Sequence, residues 1–225
     1  MVDRPILFSA PMVLALLAGR KTQTRRLLRQ PMPEPPAMDA IYPGNEAKHP
    51  APYFDAYCGA MKTPGNPRGM TDRWCWWTRD DRQSLPAVKV GYVPGDRLWV
   101  REGWAPVAAS PDASKPRRAW YRCGHEEERG YGPRTDVRWR VSIHMPRWAS
   151  RLTLTVTDVR VQKLQDITEA DAKAEGVSLY PAEMAAYYRV AFQDVWNRLH
   201  GRGAWDANPE VIAISFAVER KNVDA

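Results

Sequence analysis

Residues Arg151–Val161 read RLTLTVTDVRV and form the clearest run of alternation in the chain. A period of two is the signature of a half-buried strand, and it puts Leu152, Leu154 and Val156 on one face. A strand this long with one apolar face needs partner strands beside it and a layer packed over it. The rest of the sequence must supply both.

Several segments qualify. Pro5–Ser9 (PILFS) is a short apolar run that predicts a first strand or its lead-in. Ala10–Ala18 (APMVLALLA) predicts a short buried helix, with Ser9 as its cap, Pro11 in its first turn and Gly19 at its left-handed stop. Thr22–Leu28 reads as extended. In Val93–Trp104 (VPGDRLWVREGW) a Pro94-Gly95 turn leads into a strand where Leu98 and Val100 alternate with Trp99 and Arg101. Val137–Ile143 predicts another strand. Thr168, with an acid three residues later, opens a short helix that Gly176 ends. Ala182–Arg198 predicts a longer amphipathic helix, and Glu210–Val218 (EVIAISFAV) a final buried strand. The order predicts an α+β fold, a small mixed or antiparallel β-barrel with flanking helices.

Two stretches do not fit that pattern. From about Gln30 to Val93, Pro, Gly, Asp and aromatics dominate and neither period is sustained. Residues 105–136 form a second variable stretch, whose one β-like signal is Trp120-Tyr121-Arg122. Both read as long irregular insertions in a single domain spanning residues 1–225.

Against 26 acidic residues the chain carries 33 Lys and Arg, a formal charge of +7, which favours nucleosides, nucleotides or RNA as partners. Several of its Trp residues lie beside Arg, a pairing that suits base stacking as well as ordinary packing. The three cysteines, Cys58, Cys75 and Cys123, are widely spaced and odd in number, and the four His show no ligand spacing. Neither a disulfide framework nor a metal site is expected, and no cofactor motif is present. No apolar run is long enough to span a bilayer, and the N-terminus lacks the pattern of a signal peptide, so a reducing, cytoplasmic setting is expected.

The segment with chemical potential is LLAGRKTQTRRLLR, Leu16–Arg29. A helix stop there delivers Arg20, Lys21, Thr22, Thr24, Arg25 and Arg26 together. A threonine hydroxyl is a weak nucleophile without a base beside it, and a lysine serves as that base only when its pKa falls. Neighbouring Arg residues push it down, and a carboxylate such as Glu175 positions the amine while pulling its pKa back up. Thr22 and Thr24 stand two apart, and their spacing does not choose between them. Arg26 shares their face and suits a phosphate or a base carbonyl. Glu102 at a strand end suits an exocyclic amine or a pairing with Arg101, and Trp99 suits base stacking or core packing.

Gly19–Arg26 (GRKTQTRR) resembles the signature of ASCH domains, β-barrel domains of the PUA-like group, and Pro94–Val100 (PGDRLWV) resembles their turn-and-strand element. The helix at Thr168–Gly176 and the strand Glu210–Phe216 fit the remainder. The resemblance covers about half of the chain, leaving both insertions outside it, and the layout is similar to ASCH-type proteins encoded by phages. At motif level it is nearest to the small bacterial N4-acetylcytidine amidohydrolases, which are much shorter chains. That resemblance implies a metal-independent amidohydrolase acting on N4-acylated cytosine nucleosides or nucleotides. It selects Thr24 as nucleophile, Lys21 as base and Glu175 as the positioning carboxylate. Arg20, Thr22, Arg26, Trp99, Arg101 and Glu102 are then the candidates for substrate contact. A non-catalytic reader of RNA or a modified base, and a ribonuclease, are the alternatives.

Overall fold

The computed structural model describes residues 2–79, 84–107, 118–123, 137–178 and 187–225. Its main sheet has five strands: β1 (Asp3–Leu7), β2 (Gln23–Leu27), β6 (Arg97–Arg101), β9 (Thr153–Lys163) and β10 (Glu210–Glu219). Their order is β1-β6-β9-β10-β2, with β1 parallel to β6 and every other pair antiparallel. The class is mixed α+β, as expected.

The alternating segment sits at the centre of this sheet. Leu154 and Val156 are buried on one face, as the alternation requires, and Leu152 is buried just before the strand. The phase then slips, because Val159 rather than Asp158 is the next buried residue. A bulge opposite Ser215–Phe216 leaves Thr157 outside the register, and one inserted residue moves all later side chains to the other face.

Helix α1 (Ala10–Leu17) joins β1 to β2, which lie on opposite edges of the sheet. So short a crossover forces the sheet to curl. The curl brings the edges close enough for Arg26 Nη2 on β2 to donate to Leu7 O on β1 at 2.7 Å. The expected barrel does not form, however, since β1 and β2 share no backbone pairing and a side chain bridges the gap. Inside the curl, Ile6, Val13, Leu16, Leu98, Leu154 and Ile214 form part of one apolar cluster.

The first insertion is not irregular. After a short helix α2 (Met38–Ile41) it forms an antiparallel sheet of β3 (Tyr53–Cys58), β4 (Met70–Trp77) and β5 (Ser84–Lys89). Its strands carry aromatics on both faces, which hides the period: Phe54 and Trp76 meet edge to face, while Tyr57 stacks on Trp77. Ala56, Met70 and Trp74 belong to the same buried cluster as the main sheet. In the second insertion β7 (Trp104–Pro106) pairs with β8 (Ala119–Tyr121), which takes in the expected aromatic pair. The rest of that insertion, 108–117 and 124–136, lies outside the described residues.

The expected strand at Val137–Ile143 is absent. The chain there makes one isolated bridge, Trp104 to Arg140, and a 3-10 turn at Ser142–His144. Val141 and Ile143 are exposed, so their spacing marks no buried face.

Two helices cover the other side of the main sheet. In α3 (Glu169–Ala174), Thr168 Oγ1 accepts from Asp171 N and the Asp171 carboxylate accepts from Thr168 N, a complete capping box. The longer α4 runs Tyr188–His200, two residues beyond its expected end. Tyr187 stands outside it, and residues 182–186 of the expected helix lie outside the described residues. Phe192 and Trp196 pack with Leu164, Ile167, Ala172 and Val211 into a second apolar cluster. Among the described residues no helix is long and apolar enough to cross a membrane.

Candidate functional site

The site begins where α1 ends. Gly19 takes φ of +70° after the last turn, and the amides of both Arg20 and Lys21 fold back to Ala15 O at 2.9 and 3.1 Å. The next amide, Thr22 N, donates to Ala174 O at the end of α3. Lys21 is therefore clamped between two helix C-termini. Gly176 makes this approach possible. Its φ is +78°, and a Cβ there would stand 2.7 Å from Lys21 Cβ and 2.9 Å from Ala15 Cβ.

Lys21 is 1% exposed. Its Nζ donates to Glu175 Oε2 at 2.7 Å, to Glu175 O at 2.8 Å and to Gln23 O at 2.9 Å. A cation there also meets the negative end of α3, at whose C-cap Glu175 stands. The second carboxylate oxygen, Glu175 Oε1, accepts from Arg25 Nη1 at 3.2 Å. Arg25 in turn donates to Gln23 Oε1 at 2.7 Å and pairs with Asp171 at 3.4 Å. Burial pushes the Lys21 amine below the usual lysine range, Glu175 pulls it back up, and the Arg26 and Arg25 charges push it down again.

Beside this network lies a cavity of about 340 Å³, lined in part by Lys21, Thr24, Arg26 and Glu175. Thr24 is buried, and its side chain makes no hydrogen bond to a described residue. Arg26 sits 5.2 Å from the Phe8 ring, with Lys21 Nζ 5.4 Å from the same ring. The opposite wall is apolar and comes from α4: Phe192, Val195, Trp196 and Leu199, with the His200 ring tilted against Trp196, centroids 4.1 Å apart. Burial first and the Arg26 charge second hold the His200 imidazole below its usual range.

The sequence-predicted residues divide cleanly. Lys21, Thr24, Arg26 and Glu175 converge on the cavity. Arg20 and Thr22 do not. They border a different depression with Lys173 and Tyr188, and Arg20 reaches Gly176 O at 3.3 Å. Thr22 precedes β2 and is exposed, so it does not share the buried face of Thr24. Trp99 is buried on β6 with the Arg101 guanidinium 4.6 Å from its ring, and neither lines the cavity. Glu102 is buried in a separate cluster. It accepts from Arg151 Nε and Nη2, both at 2.9 Å, and from Cys123 Sγ at 2.9 Å. Its partner is thus Arg151, not Arg101.

Sequence reasoning did not place Gln23 or Asp171 in the site, nor Arg25 as a ligand of Glu175. It also missed the aromatic wall of Phe8, Phe192 and Trp196. The long helix reads as amphipathic, but an apolar stripe does not say whether it faces a core or a cavity. Among the described residues no group of three or more His, Cys, Asp or Glu is placed to hold a metal ion. No family model, curated protein or solved structure matches this chain.

Proposed function

We propose that the protein is an ASCH-type amidohydrolase that removes the acyl group from N4-acylated cytosine, in a nucleoside or nucleotide. The observation that carries this reading is the meeting of Thr24, Lys21 and Glu175 in one cavity wall, with the Lys21–Glu175 contact fully buried at 2.7 Å. The resemblance of Gly19–Arg26 to the amidohydrolase signature supplies the substrate class.

In this mechanism Thr24 Oγ1 attacks the acyl carbon while the neutral Lys21 amine takes the hydroxyl proton. The tetrahedral adduct collapses with cleavage of the C–N4 bond, and the Lys21 ammonium returns its proton to the leaving N4. Water then attacks the acyl-threonine, Lys21 again accepting and returning a proton, and the acid leaves. Glu175 holds the Lys21 amine in place, and Arg25 holds the other oxygen of Glu175. The lowered Lys21 pKa supports the neutral amine that the base needs.

The test is release of cytidine from N4-acetylcytidine by the purified protein, beside Thr24→Ala and Lys21→Ala. Release that both variants abolish supports the reading, and release that survives Thr24→Ala overturns the nucleophile. A second reading, a non-catalytic reader of RNA or a modified base, draws on one feature. Lys21 Nζ already donates to three acceptors, the pattern of a resting ammonium. Salt-dependent binding of oligonucleotides without turnover supports that reading instead.

A further inference from the structure

The charges around the cavity do not balance. Lys21, Arg25 and Arg26 line it against a single carboxylate, Glu175, whose two oxygens are already held by Lys21 and Arg25. Asp171 also touches Arg25, but it is shared with Arg160 at 3.1 Å, so it does not offset the excess. Positive charge remains whichever protonation state Lys21 takes. His200, the other titratable side chain on the wall, is held toward its neutral form.

The excess of positive charge suits a ligand that brings anionic acceptor oxygens. Arg26 is the cation best placed to meet them. Its Nη2 is fixed by Leu7 O and its guanidinium is packed against Phe8, yet among the described residues it meets no carboxylate within ion-pair distance.

We infer that this cavity selects an anionic ligand, a pyrimidine mononucleotide over the neutral nucleoside, with Arg26 meeting the phosphate. The inference rests on the reading of the cavity as a cytosine site, and it adds the charge state of the ligand. An internal phosphate of an RNA strand offers the same chemistry. The cavity volume suits a single small ligand, so a mononucleotide is the expected occupant.

The test measures binding by calorimetry with three unreactive probes: cytidine, cytidine 5′-monophosphate and an unphosphorylated cytidine trinucleotide. The monophosphate is expected to bind about tenfold tighter than cytidine or better, as one charge-assisted contact provides. Arg26→Gln is expected to erase that preference. Arg26→Lys keeps most of it, which guards against a variant that merely misfolds. Arg73→Gln, an exposed change on β4, leaves the preference intact and so controls for surface charge in general. Equal affinities, no binding of either mononucleoside form, a preference that survives Arg26→Gln, or a trinucleotide that binds tighter than the monophosphate each overturns the inference. None of the probes carries an acyl group. Failure of N4-acetylcytidine hydrolysis beside a clear monophosphate preference therefore rejects the amidohydrolase and leaves the anion site standing.

Discussion

Two buried carboxylates organise this molecule, and they differ in one respect. Glu175 and Glu102 are each held through both oxygens, Glu175 by Lys21 and Arg25, Glu102 by Arg151 and Cys123. Both sets are largely removed from solvent. Glu175 also borders the cavity described above, whose lining does not include Glu102. The Glu102 cluster ties the end of β6 to the segment after β8 and to the stretch just before β9. A buried ion pair by itself indicates only that desolvation had to be compensated. The open space beside Glu175 is what gives it chemical potential.

The comparison breaks most readily at Thr24, the proposed nucleophile. Thr24→Ala is expected to lower N4-acetylcytidine hydrolysis by roughly 10⁴-fold or more, because a cooperating set retains little once one member is lost. Glu175→Gln is expected to lower it by about 10²-fold through the misplaced lysine, while Glu102→Gln leaves it unchanged. Steady-state rates on the three folded variants decide this, and equal losses for both Glu variants would erase the distinction. The rate should also rise with pH and level off below the ordinary lysine range, since in the proposed mechanism the neutral amine is the active form and its pKa is lowered. Stability moves the same way. Between the folded pKa and the unfolded value of 10.5 the unfolded chain binds the extra proton, so stability increases with pH across that window.

The Glu102 cluster has its own signature. Burial, then the Glu102 charge, pushes the Cys123 thiol up to about 12. At pH 9 its thiolate fraction is on the order of 10⁻³, and iodoacetamide should modify exposed Cys58 while Cys123 stays intact until the protein unfolds. Mass mapping of the labelled protein reads the result. Arg151→Met strands the Glu102 carboxylate and is expected to destabilise the fold by about 3–5 kcal/mol in urea titrations.

Smaller effects sharpen the Glu175 side of the comparison. Gly176→Ala forces an L-residue to a φ of +78° and into contact with Lys21, so a loss of roughly 1–3 kcal/mol is expected together with lost hydrolysis. Thr168→Ala removes the α3 cap and should cost about 1 kcal/mol with activity retained. If capping loss abolished activity as well, the position of Glu175 would depend on helix start as much as on helix end.

Local features were legible where local physics decides them. The α1 stop at Gly19, the capping box of Thr168 and Asp171, and the alternation of Leu152, Leu154 and Val156 depend on backbone preferences and side-chain period, which neighbours in sequence carry. Lys21, Thr24 and Glu175 were named from their residue types, their order and a resemblance. The sheet at Tyr53–Lys89 was hidden because aromatics on both faces remove the period, and the exposed Val141 and Ile143 mimicked a strand that has no partner. Barrel closure was not decided by strand count, since the sheet curls and stops with Arg26 across the gap.

By itself, then, the sequence determined an α+β chain with a cationic helix stop and two carboxylates worth attention. Only the tertiary structure decided that Thr24 faces inward while Thr22 faces out, that Arg25 shares Glu175 with Lys21, and that Glu102 pairs with Arg151. Those outcomes depend on contacts between residues some 20 to 160 positions apart in the chain, such as Lys21 with Glu175 and Glu102 with Cys123. No local preference encodes such distances; the curl of the sheet and the packing of α4 across it do.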